Sequence, residues 1–440
     1  MTYENIKSFL LTILVLSGGV LTWNLWTYQP DYETIDNGET VKEVSLSEKK
    51  DAKKIIKADR IFHHHKDRIQ GTIDPFEIDR TIRELSRWTF TDFEDDSSNI
   101  NQFVSDFVQQ KGMTEIIFPD SVPFELYKNF LDIKGKEPDF NFNRIVINVK
   151  KFDKEEGFVY FVDYKNQKVM KSRVNSSYIS GFKNNFYSDS LSSTKYSSYY
   201  SAKLTNKNYL YIREKEITVP VLSYVIEELP MKKFKNALFK DPSFVQKNDI
   251  STGEEYTDGL TLMRVNYEKH LISYLNPASE QEYYINGNDL LQRSIDFVNN
   301  HGGWTDNFRY AEMTESNHSV LFRLYEKNGI PVFSEEGISE ILQVWGENEL
   351  NKYERNNFSL NLLTDSEDKK LSSGKEILEL IKTKKNFKPE LLTDLVIGYK
   401  MSNNSQDFLL QLEPFWYYRY NNKWVQVSEK YQGGLKHGLE

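Results

Sequence analysis

The feature that most constrains this chain is an uncharged run near its start, from Ser8 to Gln29, inside the stretch LLTILVLSGGVLTWNLWTYQPDYE. That run is 29 − 8 + 1 = 22 residues, about 33 Å as a helix and long enough for a hydrocarbon core of about 30 Å. A core helix would carry a charged or polar face at every third or fourth position, and this run has no charged residue at all. A cleavable signal has a shorter apolar region ending in small residues. Here the small residues Ser17, Gly18 and Gly19 sit mid-run, with Leu, Trp and Tyr after them. Trp23, Trp26 and Tyr28 fall where an interfacial aromatic belt belongs. The sequence therefore predicts an uncleaved single-pass membrane anchor over residues 1–30.

Lys7 precedes the span, while Asp31, Glu33, Asp36 and Glu39 follow it. Positive charge stays cytoplasmic, so the N-terminus is expected inside and the bulk of the chain in an extracytoplasmic position. Zero cysteines exclude a disulfide scaffold, a thiolate zinc site, a cysteine nucleophile and a lipidated cysteine. A large outward part without disulfides suggests a bacterium with a single membrane. The net charge of −9 argues against a nucleic-acid partner, which would need a basic patch. Hydrophobic residues at 39% and aromatics at 14% can fill real cores.

Beyond the span, the reading gives three outward domains, 31–150, 151–280 and 281–440, of fold class α+β. Residues 31–60 read as an exit segment, either extended next to the membrane or an edge strand feeding the first domain. Asp74-Pro75 reads as an N-cap and first helical position, with Ile78, Ile82 and Leu85 at helical spacing. A second helix is read over Asn101–Gln110. Glu115–Phe118, Arg144–Val149 and Tyr209–Ile212 read as strands. Residues 172–208, rich in Ser, Asn, Lys and Tyr, read as an exposed loop of a folded unit. In the last third, helices at Asp289–Asn299 and Gly374–Lys382 each precede antiparallel strands. These are Val320–Tyr325 and Glu340–Trp345, then Asp394–Met401, Phe408–Leu412 and Trp416–Tyr420. Asn328-Gly329 and Asn421-Asn422 suit tight turns because they accept positive φ.

Several segments together resemble the YycH family of Gram-positive membrane-anchored regulators. They are NIKSFLLTILVLSGGVLTWNLWTYQPDYE, SYVIEELPMKKFKNALFKDPSFVQ, DGLTLMRVNYEKHLISYLNP, NGIPVF, LSSGKEILELI, DLVIGY and LEPFWYYRYNNKW. The resemblance runs along nearly the whole chain in this order. It implies a non-enzymatic accessory protein of a two-component system controlling cell-wall metabolism. It further implies action with a YycI-like sister protein on a membrane sensor histidine kinase of the YycG/WalK kind. The family offers no catalytic residue to carry over, and no cofactor is expected. Homo-oligomerisation is left open.

The chemistry search is correspondingly sparse. His63-His64-His65 is the metal candidate: on a strand His63 and His65 share a face, but Asp59 or Asp67 would have to complete the ligand set. The plainer reading is a polar strand or turn whose imidazoles meet water. His301-Gly302-Gly303-Trp304 has an esterase-like look without any G-x-S-x-G elbow, so a glycine-containing helix end is expected. Ser373-Gly374-Lys375-Glu376 lacks the rest of a P-loop and reads instead as a capping box. Paired acids such as Glu94-Asp95-Asp96 do not by themselves make a hydrolase. The rival readings are a membrane-tethered wall hydrolase and a wall glycan-binding protein, the latter resting on a contact surface at Trp416, Tyr418 and Trp424. Packing on alternating faces of a hairpin is the structural reading of the same rings. In the span, Gly18 and Thr22 form a small-xxx-small pair, while Thr12, Gly19 and Trp26 share a heptad stripe. These five are the residues expected to meet the kinase and lipid.

Overall fold

The computed structural model describes residues 16–19, 22–23, 47–100, 103–152, 156–279, 285–404 and 409–428. The chain divides at Ser45/Leu46, and of the first part only six residues are described. The predicted span thus lies almost entirely outside the described residues, as do Thr12 and Trp26. Among the described residues no helix is long and apolar enough to cross a membrane.

Among the described residues from 47 onward the architecture is α+β, with three mainly antiparallel sheets. The first has ten strands between residues 60 and 213. Arg60–His64 lies inside it, pairing antiparallel with Ile69–Thr72 on one side and Met113–Pro123 on the other. Apolar runs explain why these strands are interior. In Asn141–Phe152, Ile145 and Ile147 join one core while Val146 faces the opposite one, as the two-residue strand period requires. Helices Pro75–Leu85 and Ser176–Phe182 cover the first face with Ile78, Leu85, Ile179 and Phe182, and Val104–Val108 covers the second. Strand Asn141–Phe152 runs straight through residue 150.

The second sheet joins strands between 217 and 426, and the third, of eight strands, runs from 246 to 356. Glu340–Trp345 alternates half-buried and buried positions, the mark of a strand covered on one face. Helix Gly287–Asn300 lays Leu290, Leu291, Ile295 and Val298 on that buried side, each worth roughly 1.5–3 kcal/mol when removed from water.

Local signals held where the chemistry was local. Asp74 accepts from Phe76 N and Glu77 N at 3.0 and 3.2 Å with Pro75 at the helix start. Ser373 and Glu376 form a reciprocal capping box on Gly374–Lys382. Asn421 and Asn422 have φ of 50° and 60° between paired strands Leu409–Tyr420 and Lys423–Gln426.

Three expectations need correction. Residues 172–208 are not an exposed loop. They hold a strand end, helix Ser176–Phe182 with Ile179 and Phe182 buried, and strand Ser197–Thr205. The exit segment, so far as it is described from residue 47, is no edge strand: it holds the short helix Ala52–Ile55 and meets strand pairing only at Arg60, and residues 31–46 lie outside the described residues. Finally, the strands predicted on either side of Pro414 are one strand, Leu409–Tyr420. Proline is tolerated there because Tyr399, its partner, donates its own N–H away to Pro331 O. Pro414 therefore turns its missing N–H toward the other flank, in the gap between residues 409–412 paired with Leu222–Val225 and 417–420 paired with Lys423–Gln426.

Candidate functional site

The three histidines are placed by an interior strand, and this decides their chemistry. His63 is 0% and His64 2% exposed, so the expectation of water-facing imidazoles fails for these two. His63 Nδ1 pairs with Thr114 Oγ1 at 2.8 Å, and His65 Nε2 with Ser190 Oγ at 2.9 Å. The two rings share a face, 6.3 Å apart. Burial, then the neighbouring His65 and His64, push the His63 pKa down to about 3. Burial and Arg68 push His65 down to about 4, so both are neutral at pH 7. Asp59 is held instead against Arg60, 3.5 Å away. Among the described residues no group of three or more His, Cys, Asp or Glu could hold a metal ion.

His64 points to the opposite face, into a network that sequence reasoning missed. Its Nε2 lies 2.7 Å from Glu115 Oε1. Glu115 also ion-pairs with Arg144 and accepts from Tyr211 Oη, and the Arg144 guanidinium stacks 3.5 Å over the Tyr164 ring. Burial would raise the Glu115 carboxyl, but Arg144, His64 and Tyr211 outweigh it and hold it below its ordinary value. The available signal was a lone acid and a lone base, each opening an otherwise apolar strand run.

A second group of polar contacts ties distant segments together. Arg60 grips Asp394 with two bonds of 2.7 Å, fastening the first sheet to the second. Lys50 N donates to Asn299 Oδ1 at 2.8 Å, and Asn299 Nδ2 returns a bond to Lys50 O at 3.1 Å. Lys50 Nζ reaches Asp306 O at 2.7 Å, and Ser47 Oγ donates to Gly302 O at 2.7 Å. The His301-Gly302-Gly303-Trp304 loop is thus the receptor for the start of the body. It ends helix Gly287–Asn300 with Gly302 at φ 65°, as read from the sequence.

The aromatic hairpin divides its rings between two faces. Trp416 and Tyr418 are 3% and 5% exposed and belong to the core beneath helix Gly374–Lys382. The Trp416 indole donates to Ser372 O at 3.0 Å. On the other face Tyr417 stacks on Phe333 at 4.1 Å, and Trp424 meets the same ring at 5.3 Å. A sugar platform built on Trp416 and Tyr418 is excluded by this burial, and only Trp424 keeps partial exposure.

Of the span residues, Gly18, Gly19 and Thr22 are described. Thr22 Oγ1 donates to Gly18 O at 2.9 Å, the back-bond that satisfies a threonine hydroxyl in a helix. A Cβ on Gly18 or Gly19 would meet nothing within 4 Å.

Comparison with known proteins adds an independent observation. The family description "YycH protein, N-terminal domain" matches residues 4–190, and "YycH protein, C-terminal domain" matches residues 207–434. The chain belongs to the YycH family. A curated relative, "Two-component system WalR/WalK regulatory protein YycH" of Bacillus subtilis (strain 168), is 23% identical over 451 positions. The alignment covers 98% of this chain and 97% of the relative. The crystal structure of YycH from Bacillus subtilis superposes with a TM-score of 0.71 at 20% identity, covering 87% of this chain and 99% of that one. That likeness establishes the shared fold. The two YycH regions are interlocked here: strand Asn208–Arg213 lies in the C-terminal match yet completes the first sheet beside Ser197–Thr205.

Proposed function

We propose that this chain is a non-enzymatic, membrane-anchored regulator of a two-component sensor histidine kinase that controls cell-wall metabolism. The observation that carries the reading is the end-to-end match with a relative whose name makes it a regulatory protein of the WalR/WalK system. The N-terminus is cytoplasmic and the sheets are extracytoplasmic in this reading. Residues 8–29 span the bilayer and meet kinase helices through Gly18 and Thr22, where small side chains allow close approach. A YycI-like partner docks on the outward body. The hold of residues 299–306 on Ser47 and Lys50 fixes the start of the body itself. A partner shifts a kinase only by binding one signalling state more tightly, with typical coupling of about 1–3 kcal/mol. The test exchanges Ser8–Tyr28 for an unrelated spanning helix, with expression and topology verified. Altered output of the kinase supports the proposal, and unchanged output removes the helix from the mechanism.

A further inference from the structure

A polar cavity of about 240 Å³ opens at the flank of the first sheet, on the side where Tyr196 meets the His63 ring and Ser190 meets His65. Its wall includes Arg213, Lys215, Tyr196, Gln70 and serine hydroxyls at Ser190 and Ser197. Two of these groups are incompletely satisfied. The Arg213 Nε is buried without a hydrogen-bond partner, and so is the Tyr196 hydroxyl, on a residue 8% exposed. Among the described residues, neither Arg213 nor Lys215 has a carboxylate within ion-pairing distance. The one carboxylate on the wall, Glu216, is engaged by Lys370 at 2.5 Å. Buried donors without acceptors are costly and rare. Here one of them belongs to a cation whose planar donors match an oxyanion. Strand pairing holds the arrangement in place: Arg213 is registered opposite Tyr199, and Ser190 is fixed by its bonds to Tyr187 O and His65.

We propose that this cavity binds a phosphate group. Arg213 supplies the charged fork, Lys215 the second positive charge at the exposed mouth, and Tyr196 with the Ser197 hydroxyl the neutral donors, Ser190 already giving its proton to Tyr187 O. The volume is smaller than a drug-sized pocket, so it admits a phosphate with at most a short substituent. A free phosphate and a phosphate ester share this chemistry, and the two arms of the experiment separate them.

The experiment is calorimetric titration of the full-length chain in detergent micelles with inorganic phosphate and, separately, with glycerol 3-phosphate, against chloride at equal ionic strength. The expected result is saturable binding of at least one probe with a Kd below about 10 mM. The preferred probe identifies the source. Arg213→Gln is expected to weaken binding about tenfold or more, as loss of a charge-assisted partner requires. Should that variant fail to fold, Lys215→Gln, at an exposed position, and Tyr196→Phe carry the same test with smaller losses. Arg264→Gln, on the surface of the third sheet, leaves binding unchanged. Absence of saturation with both probes overturns the proposal, as does equal binding by wild type and every cavity variant.

Discussion

Replacing Arg144 with methionine keeps a chain of similar length but removes the charge that Glu115 faces. Glu115 is 0% exposed, and its remaining partners would be His64 and Tyr211. Removing one partner of a buried ion pair costs about 3–5 kcal/mol, because the other charge stays buried. Strands Arg60–His64, Met113–Pro123 and Asn141–Phe152 meet around this network, so amide hydrogen exchange there reads the loss locally. At 1.4 kcal/mol per tenfold, protection at Ile116 and Ile145 falls by roughly two to nearly four orders of magnitude. The pH response gives the sharper signature. In the wild type the depressed Glu115 carboxyl contributes stability that is present above its ordinary pKa and lost as pH falls through the folded value. In Arg144→Met burial is no longer outweighed, the carboxyl is raised, and mild acid stabilises the protein. A double variant, Glu115→Gln with Arg144→Met, regains much of the protection, because no charge is left buried. Wild-type protection in the single variant, or the same sign of pH response in both proteins, would refute the reasoning.

Three further outcomes follow from the packing. Asp394→Ala deprives Arg60 of its paired acceptor and should cost about 2–3 kcal/mol, lowering the first thermal unfolding transition measured by calorimetry. An unshifted first transition would show that the clamp is idle. Asn299→Ala removes both bonds to the Lys50 backbone, so tryptic cleavage beside Lys49 and Lys50 is expected to accelerate while Gly374–Lys382 keeps its exchange protection; equal cleavage rates would contradict this latch. Trp416→Ala truncates a ring 3% exposed and should destabilise the chain by about 3–5 kcal/mol, read by chemical denaturation, where a surface ring would give almost no change.

How much of this was legible depended on the range of the interactions. Asp74, Ser373, Asn421 and Gly302 act within a few residues of themselves, so their caps and turns follow directly from local residue types. The alternation at residues 415–420 likewise divided the rings between two faces, because strand period is a local property, but it did not tell that Trp416 and Tyr418 lie on the face beneath the helix. What stayed hidden was long-range pairing. Nothing near residue 115 points to Arg144 or Tyr211, and nothing near Arg60 points to Asp394, 334 positions away. The histidine run misled for the same reason: its polarity argued for water, whereas strands on both sides bury it. Residues 172–208 misled through composition, since their serines and tyrosines line and cap a folded flank whose partners lie in strands 60–72.

The central proposal is that residues 8–29 span the membrane and hold a sensor kinase, while the body docks a partner protein. Its most direct test is co-purification from membranes of the full-length protein beside a form lacking residues 1–30, with bound partners identified by mass spectrometry. The account predicts a sensor histidine kinase with the full-length protein, and its loss or strong depletion when residues 1–30 are missing. Recovery of no kinase by the full-length protein, or equal recovery by both forms, would contradict it.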